Sequence, residues 1–208
     1  MKRRNIIIVI VLTIFLLIPS NGLSQEVVAD MSFSGKVVLL NPESTLSAFD
    51  GKALLVNEDK EDIPFIRVSN GFEVAHLFVF PGDVVNSVSR IKVYKAAPAD
   101  DATIVDWSFY SEHGARLGMT KEEILSIYGE PTKNHFSEGR LMVYYIAPFN
   151  YFLEEYNMPL YSEVFVFEDN HLVSMEFGFD LMGKGLYSPQ SIIPFEIFTI
   201  LMKSYVKE

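Results

Sequence analysis

Residues 117–131, Leu-Gly-Met-Thr-Lys-Glu-Glu-Ile-Leu-Ser-Ile-Tyr-Gly-Glu-Pro, spell out one short helix with both ends marked. Thr120 is placed to accept from the free N–H groups of the first turn. Glu123, three residues on, reaches back to complete a capping box. Met119 and Ile124 hold the two positions of a hydrophobic staple, and Glu122 and Glu123 put negative charge at the positive end of the helix dipole. Gly129 suits a left-handed terminus and Pro131 prevents the helix from resuming. A helix of roughly two to three turns is too short to stand alone in water. The apolar face of Ile124, Leu125 and Tyr128 therefore has to dock on a sheet.

Strand-like runs supply that sheet. In the second half they are residues 140–146, 163–167 and 172–179, with a tight turn at 168–171. Apolar residues occur on both parities of 164–167, which implies cover on both faces. In the first half, 36–40 reads as a short strand and Asn41-Pro42-Glu43-Ser44 as the start of a helix running to Phe49. Strands follow at 65–68, 74–80 and 88–94, with turn signals at Asn70-Gly71 and at 81–83. The polar, proline-bearing stretch 96–102 is the best boundary. Residues 45–51 lie against 124–129 at an offset of 79, and 76–80 against 163–167 at an offset of 87. The expected fold is α+β, with short helices packed on antiparallel sheet, read either as one unit or as two tandem helix-plus-three-strand repeats.

The amino terminus reads as a secretory signal over residues 1–24. Lys2, Arg3 and Arg4 precede an apolar run at 6–18, and Gly22 and Ser24 stand at the small-residue positions before Gln25. The apolar run is short for a membrane span, which needs about 20 residues. The expected divisions are the signal, an amino-terminal half at 25–102, a second α+β unit at 103–183 and an apolar helix at 184–208. The signal takes three of the 17 basic residues and none of the 27 acidic ones, so the mature charge is −13. That balance argues against nucleic acid or anionic lipid as partners. The chain has no cysteine, hence neither a disulfide nor a lipid-bearing thiol.

The chain carries no nucleophile elbow, phosphate-binding glycine loop, dinucleotide fingerprint or zinc-protease motif. His76, His113, His135 and His171 are scattered without ligand spacing. Glu112-His113 near Asp106 lacks a third group to orient it. Neither Asp100-Asp101 nor the acidic loop 58–62 has the spacing of a calcium loop. No catalytic residue, cofactor or metal is expected. The aromatic run Tyr145, Phe149, Tyr151, Phe152, Tyr156 and Tyr161 is read either as core filling or as a partner contact.

The capped helix, followed by Tyr144-Tyr145, the run 164–167 and Leu172-Val-Ser-Met175, resembles the SmpA/OmlA family over residues 109–179. That family includes the small lipoprotein of the outer-membrane barrel-assembly machinery. The layout is also similar to the β-lactamase inhibitor proteins, which use two tandem copies. The resemblance makes Gly118, Gly129 and Pro131 structural and implies a protein-binding role. It departs at Gln25, where the lipoprotein carries its anchoring cysteine, and in the absence of the inhibitors' disulfides. The expectation is an exported, periplasmic or extracellular, non-enzymatic protein that binds another envelope or secreted protein, with no stable membrane anchor once the signal is removed. The alternative is a secreted small-ligand binder or hydrolase inhibitor.

Overall fold

A computed structural model of the chain describes residues 28–49, 55–56, 64–79, 87–147 and 160–180. The stretches read as a signal (1–24) and as a terminal helix (184–208) lie outside the described residues. The fold is mostly β, with two short helices among the described residues. In order they are β1 (Ser32–Phe33), β2 (Val37–Val38), α1 (Pro42–Ala48), β3 (Leu55–Val56), β4 (Phe65–Ser69), β5 (Glu73–Val79), β6 (Val88–Lys95) and β7 (Thr103–Ile104). Then follow α2 (Lys121–Tyr128), β8 (Lys133–Ser137), β9 (Arg140–Ile146), β10 (Leu160–Glu168) and β11 (His171–Asp180).

Both helices begin where their caps dictate. Asn41 accepts from the Ser44 N–H at 3.2 Å, with Pro42 at the first helical position. Thr120 Oγ1 accepts from the Glu123 N–H at 3.3 Å, and Glu123 Oε2 accepts from the Thr120 N–H at 2.7 Å. The Thr120 N–H, and after it the Thr120 hydroxyl donating to the same Oε2 at 3.0 Å, hold the Glu123 carboxyl below the usual carboxylate range. At the far end Gly129 has φ +75°, a conformation a side chain would resist, and its N–H reaches Leu125 O.

β1 and β2 pair with each other, and the remaining nine strands form one sheet. Its order is β3-β4-β5-β6-β11-β10-β9-β8, with β7 pairing parallel to β4 beside this path. Each half is thus a helix followed by a four-stranded antiparallel meander. The meanders meet at their last strands, β6 and β11, which pair antiparallel with Ile91 opposite Phe177. The fourth strand of the second half, β8, corrects the expected three. Its sequence Lys-Asn-His-Phe-Ser gives no apolar alternation, because β8 stands at the sheet edge with Asn134 and Phe136 exposed.

Register assigns the faces. Ile66, Leu77, Ile91, Phe177, Glu163 and Tyr145 lie in one row across the sheet, on the face covered by 28–49, by 105–119 and by α2. Phe33, Phe109, Ala115, Ile124 and Tyr128 complete the core there. The opposite face carries Phe65, Arg67, His76, Phe78, Arg90, Glu176, Val164 and Tyr144. Arg90 pairs with Glu176 at 3.3 Å, and Arg67 pairs with Asp101 of the loop read as a boundary. This second face is also largely buried, with Phe65 at 0 % and Tyr144 at 2 % exposure, as the double-parity pattern at 164–167 implied.

Candidate functional site

The densest polar cluster lies inside the core face, where Asp30 is fully buried against β10. Four elements meet there: the segment 28–33, the loop 111–115, the end of α2 and β10. Asp30 uses every polar group it has. Its N–H donates to Glu163 Oε1 at 2.8 Å. Its carbonyl accepts from the Tyr161 hydroxyl at 2.7 Å. Oδ1 accepts from the His113 N–H at 2.8 Å, with His113 Nδ1 also 2.8 Å away. Oδ2 accepts from the Tyr128 hydroxyl.

A relay runs through Tyr128. The Ala115 N–H donates to Ser111 Oγ at 3.1 Å, and Ser111 Oγ lies 2.7 Å from the Tyr128 hydroxyl. Since Tyr128 spends its hydrogen on Asp30, Ser111 must donate to it. Burial, then the Asp30 and Glu163 charges, push the Tyr128 phenol far above its ordinary value. The same causes act on Tyr161, with Glu163 ahead of Asp30.

Glu163 is the second buried acid. Burial first, and Asp30 second, push its carboxyl well above the usual carboxylate range. Its Oε1 serves Asp30 and Tyr161, while Oε2 is buried with no hydrogen-bond partner among the described residues. Leaving an ionised carboxylate in that position is costly.

The aromatic residues read as a possible contact surface divide in the structure. Tyr145 and Tyr161 belong to the core, at 2 % and 1 % exposure, which removes both from a partner-facing surface. Their rings fill the space over β9 and β10, and their hydroxyls are used internally: Tyr145 donates to Gly129 O at 2.8 Å, fastening the end of α2. Phe149, Tyr151, Phe152 and Tyr156 lie outside the described residues. Glu112 and His113, adjacent in sequence, take different partners. Glu112 accepts from the Met31 N–H, and His113 joins Asp30.

A buried carboxylate fixing Nδ1 of a histidine is how hydrolases orient a general base. Here His113 spends its backbone N–H on the same oxygen and sets its ring edge-on to Tyr128 at 6.2 Å. His76 is a satisfied sheet histidine: Nε2 lies 3.1 Å from both Arg67 Nε and the Tyr94 hydroxyl, and Arg67 can only donate. His171 Nδ1 meets Asp169 O within its own turn. Among the described residues, no three of His, Asp or Glu are grouped to hold a metal ion.

The sequence did hold one sign of the buried pair. Glu163 shares parity with Tyr161 and Phe165 in an otherwise apolar strand, so an acid stands at a core position. Asp30 gives no such sign, since its segment has no period. Comparison with protein-family models, with curated proteins and with solved structures found no match.

Proposed function

We propose that this chain is an exported protein-binding module that accepts an extended segment of a partner along the open edge of its sheet at β8. One observation carries the reading. Glu138 and Gly139 have φ +52° and +77°, the signature of a two-residue hairpin turn. In such a hairpin Ser137 and Arg140 form a hydrogen-bonded pair, as do His135 and Met142. The N–H and C=O groups of Asn134 and Phe136 therefore point away from β9, at the end of the sheet order. Phe136 is 70 % exposed beside them. Outward backbone groups with a neighbouring apolar anchor are what strand addition uses. Natural edges are normally blunted by charge or proline, and at this position an aromatic ring stands instead.

The same layout supports a tandem origin. The N-caps Asn41 and Thr120 stand 79 residues apart, the offset that aligns 45–51 with 124–129. The second match, 76–80 with 163–167, falls on β5 and β10, which occupy equivalent places in the two meanders. We read the halves as degenerate copies of an SmpA/OmlA-like unit, joined as in the inhibitor proteins. That joining favours hydrolase inhibition as the second reading, and copurification with a hydrolase distinguishes it.

The test places a photo-crosslinking residue at Asn134 and, in a separate chain, at Thr103 beside the far edge. With envelope extract, the expected result is one discrete adduct at Asn134 that is lost in Phe136→Lys. The same adducts at both positions, or an adduct indifferent to Phe136→Lys, count against edge binding. Phe136→Lys is expected to leave stability within about 0.5 kcal/mol, so a lost adduct is not lost folding.

A further inference from the structure

The Tyr161 hydroxyl lies 2.7 Å from the Asp30 carbonyl and 2.7 Å from Glu163 Oε1. It owns one hydrogen, and a carbonyl can only accept. That hydrogen goes to Asp30 O. The second contact then places two lone-pair oxygens together unless Glu163 itself supplies a hydrogen. A neutral acid resolves this at once. Its Oε1–H donates to Tyr161, Oε1 still accepts from the Asp30 N–H, and a closed ring runs from Asp30 N–H through Glu163 and Tyr161 back to Asp30 C=O. The unpartnered, buried Oε2 then carries no charge.

We propose that Glu163 is a proton latch: as a neutral acid it locks segment 28–33 onto β10, and loss of its proton releases that segment. The groups facing it are Asp30 from the segment, with His113 behind Asp30, Tyr161 on its own strand, Tyr145 from β9 and Tyr128 from α2. From β11 the facing residue is the uncharged Phe177. An ionised Glu163 would meet the Asp30 carboxylate across the ring and lose its donor bond to Tyr161. The strain falls on the segment, because Asp30 bonds the ring through its own N–H and C=O. Release is visible three residues on, where Phe33 packs edge-on to Trp107 at 5.6 Å. Trp107 is the chain's one tryptophan.

The folded state holds this proton above the ordinary glutamate value of 4.5, while the unfolded chain releases it there. The latch therefore stabilises the fold most below that value, and its contribution falls as pH rises towards the folded value. The experiment follows Trp107 emission and the carbon-13 carboxyl resonance of Glu163 from pH 5 to 9.5, in the full chain and in Glu163→Gln. Glutamine removes the titration and loses one bond of the ring, since a single atom can no longer both donate to Tyr161 and accept from Asp30. The expected result is a Glu163 resonance still in its acid form where the exposed glutamates have already ionised, with Trp107 emission moving red as the acid ionises. In Glu163→Gln, Trp107 emission is independent of pH. The latch is overturned if the resonance titrates with the exposed glutamates. It is also overturned if wild-type emission stays constant over the range, or if Glu163→Gln shows the same red shift. Should the variant fail to fold, the wild-type resonance and emission decide the matter alone.

Discussion

One hydroxyl, that of Tyr161, joins chain segments 131 residues apart. Tyr161→Phe keeps the ring against Phe179, which it meets edge-on at 5.3 Å, and removes the polar link. The Asp30 carbonyl is then buried with one partner fewer. Unmet buried polar groups cost about 1–3 kcal/mol, so the unfolding free energy is expected to fall by that amount, read as a lower urea midpoint at unchanged slope. Tyr145→Phe supplies the contrast. It frees Gly129 O at a helix end, where replacement by water is cheaper, and a loss of about 1 kcal/mol is expected in the same measurement. Gly178 marks the other point where a single residue governs the core. A Cβ built there meets Ser89 O at 2.4 Å and Arg90 Cα at 2.7 Å, both backbone. Gly178→Ala has to push β6 from β11, at a cost of about 1–3 kcal/mol in the same unfolding series.

At the scale of elements, the parts legible in the sequence are those whose determinants are local. The cap of α2 was readable because Thr120 and Glu123 are three residues apart, and the structure closes that box in both directions. Thr120→Ala is expected to cost about 1 kcal/mol, measured by urea unfolding. β4, β5, β6, β9, β10 and β11 were readable because burial writes apolar runs into them. β8 was not, because an edge strand wetted on alternate residues carries no apolar period. β2 falls inside the short strand read at 36–40, whereas the two-residue strands β1, β3 and β7 have too few residues to show a period at all. The buried acids were hidden for a different reason. Pairing Asp30 with Glu163 depends on a separation of 133 residues, which no local pattern encodes. For Tyr145 and Tyr161 the sequence left core and partner contact both open, because the same amphipathic ring serves either and only the fold decides which.

At the scale of the whole molecule, the two meanders share one seam and one strap. Along the seam Ile91 and Val93 of β6 face Phe177 and Met175 of β11, and Glu176 of β11 binds Arg90 and Lys92 of β6. The strap is segment 28–33, which belongs to the first half in sequence yet is fastened by Glu163, Tyr161, Tyr128 and His113 of the second. A fragment of residues 103–208 would keep the α2 cap and the hairpins but lose both. β11 would become an edge with Met175 and Phe177 uncovered, and Glu163 would have no Asp30 N–H to bind. The fragment is therefore expected to show no cooperative thermal transition alone. Adding residues 25–102 in trans should restore one, with Trp107 emission moving blue as Phe33 returns to it. A cooperative transition of the fragment by itself would make the second half an autonomous unit and the strap an accessory. The same long-range closure predicts slow folding of the intact chain, since contacts of high sequence separation form only after large loops have closed. Shortening that closure by circular permutation, with new termini between Glu138 and Gly139 of the exposed β8–β9 turn, would also cut the edge strand from its hairpin. Such a permutant should fold through the same seam and strap while losing capture at Asn134, which separates the determinants of folding from those of binding.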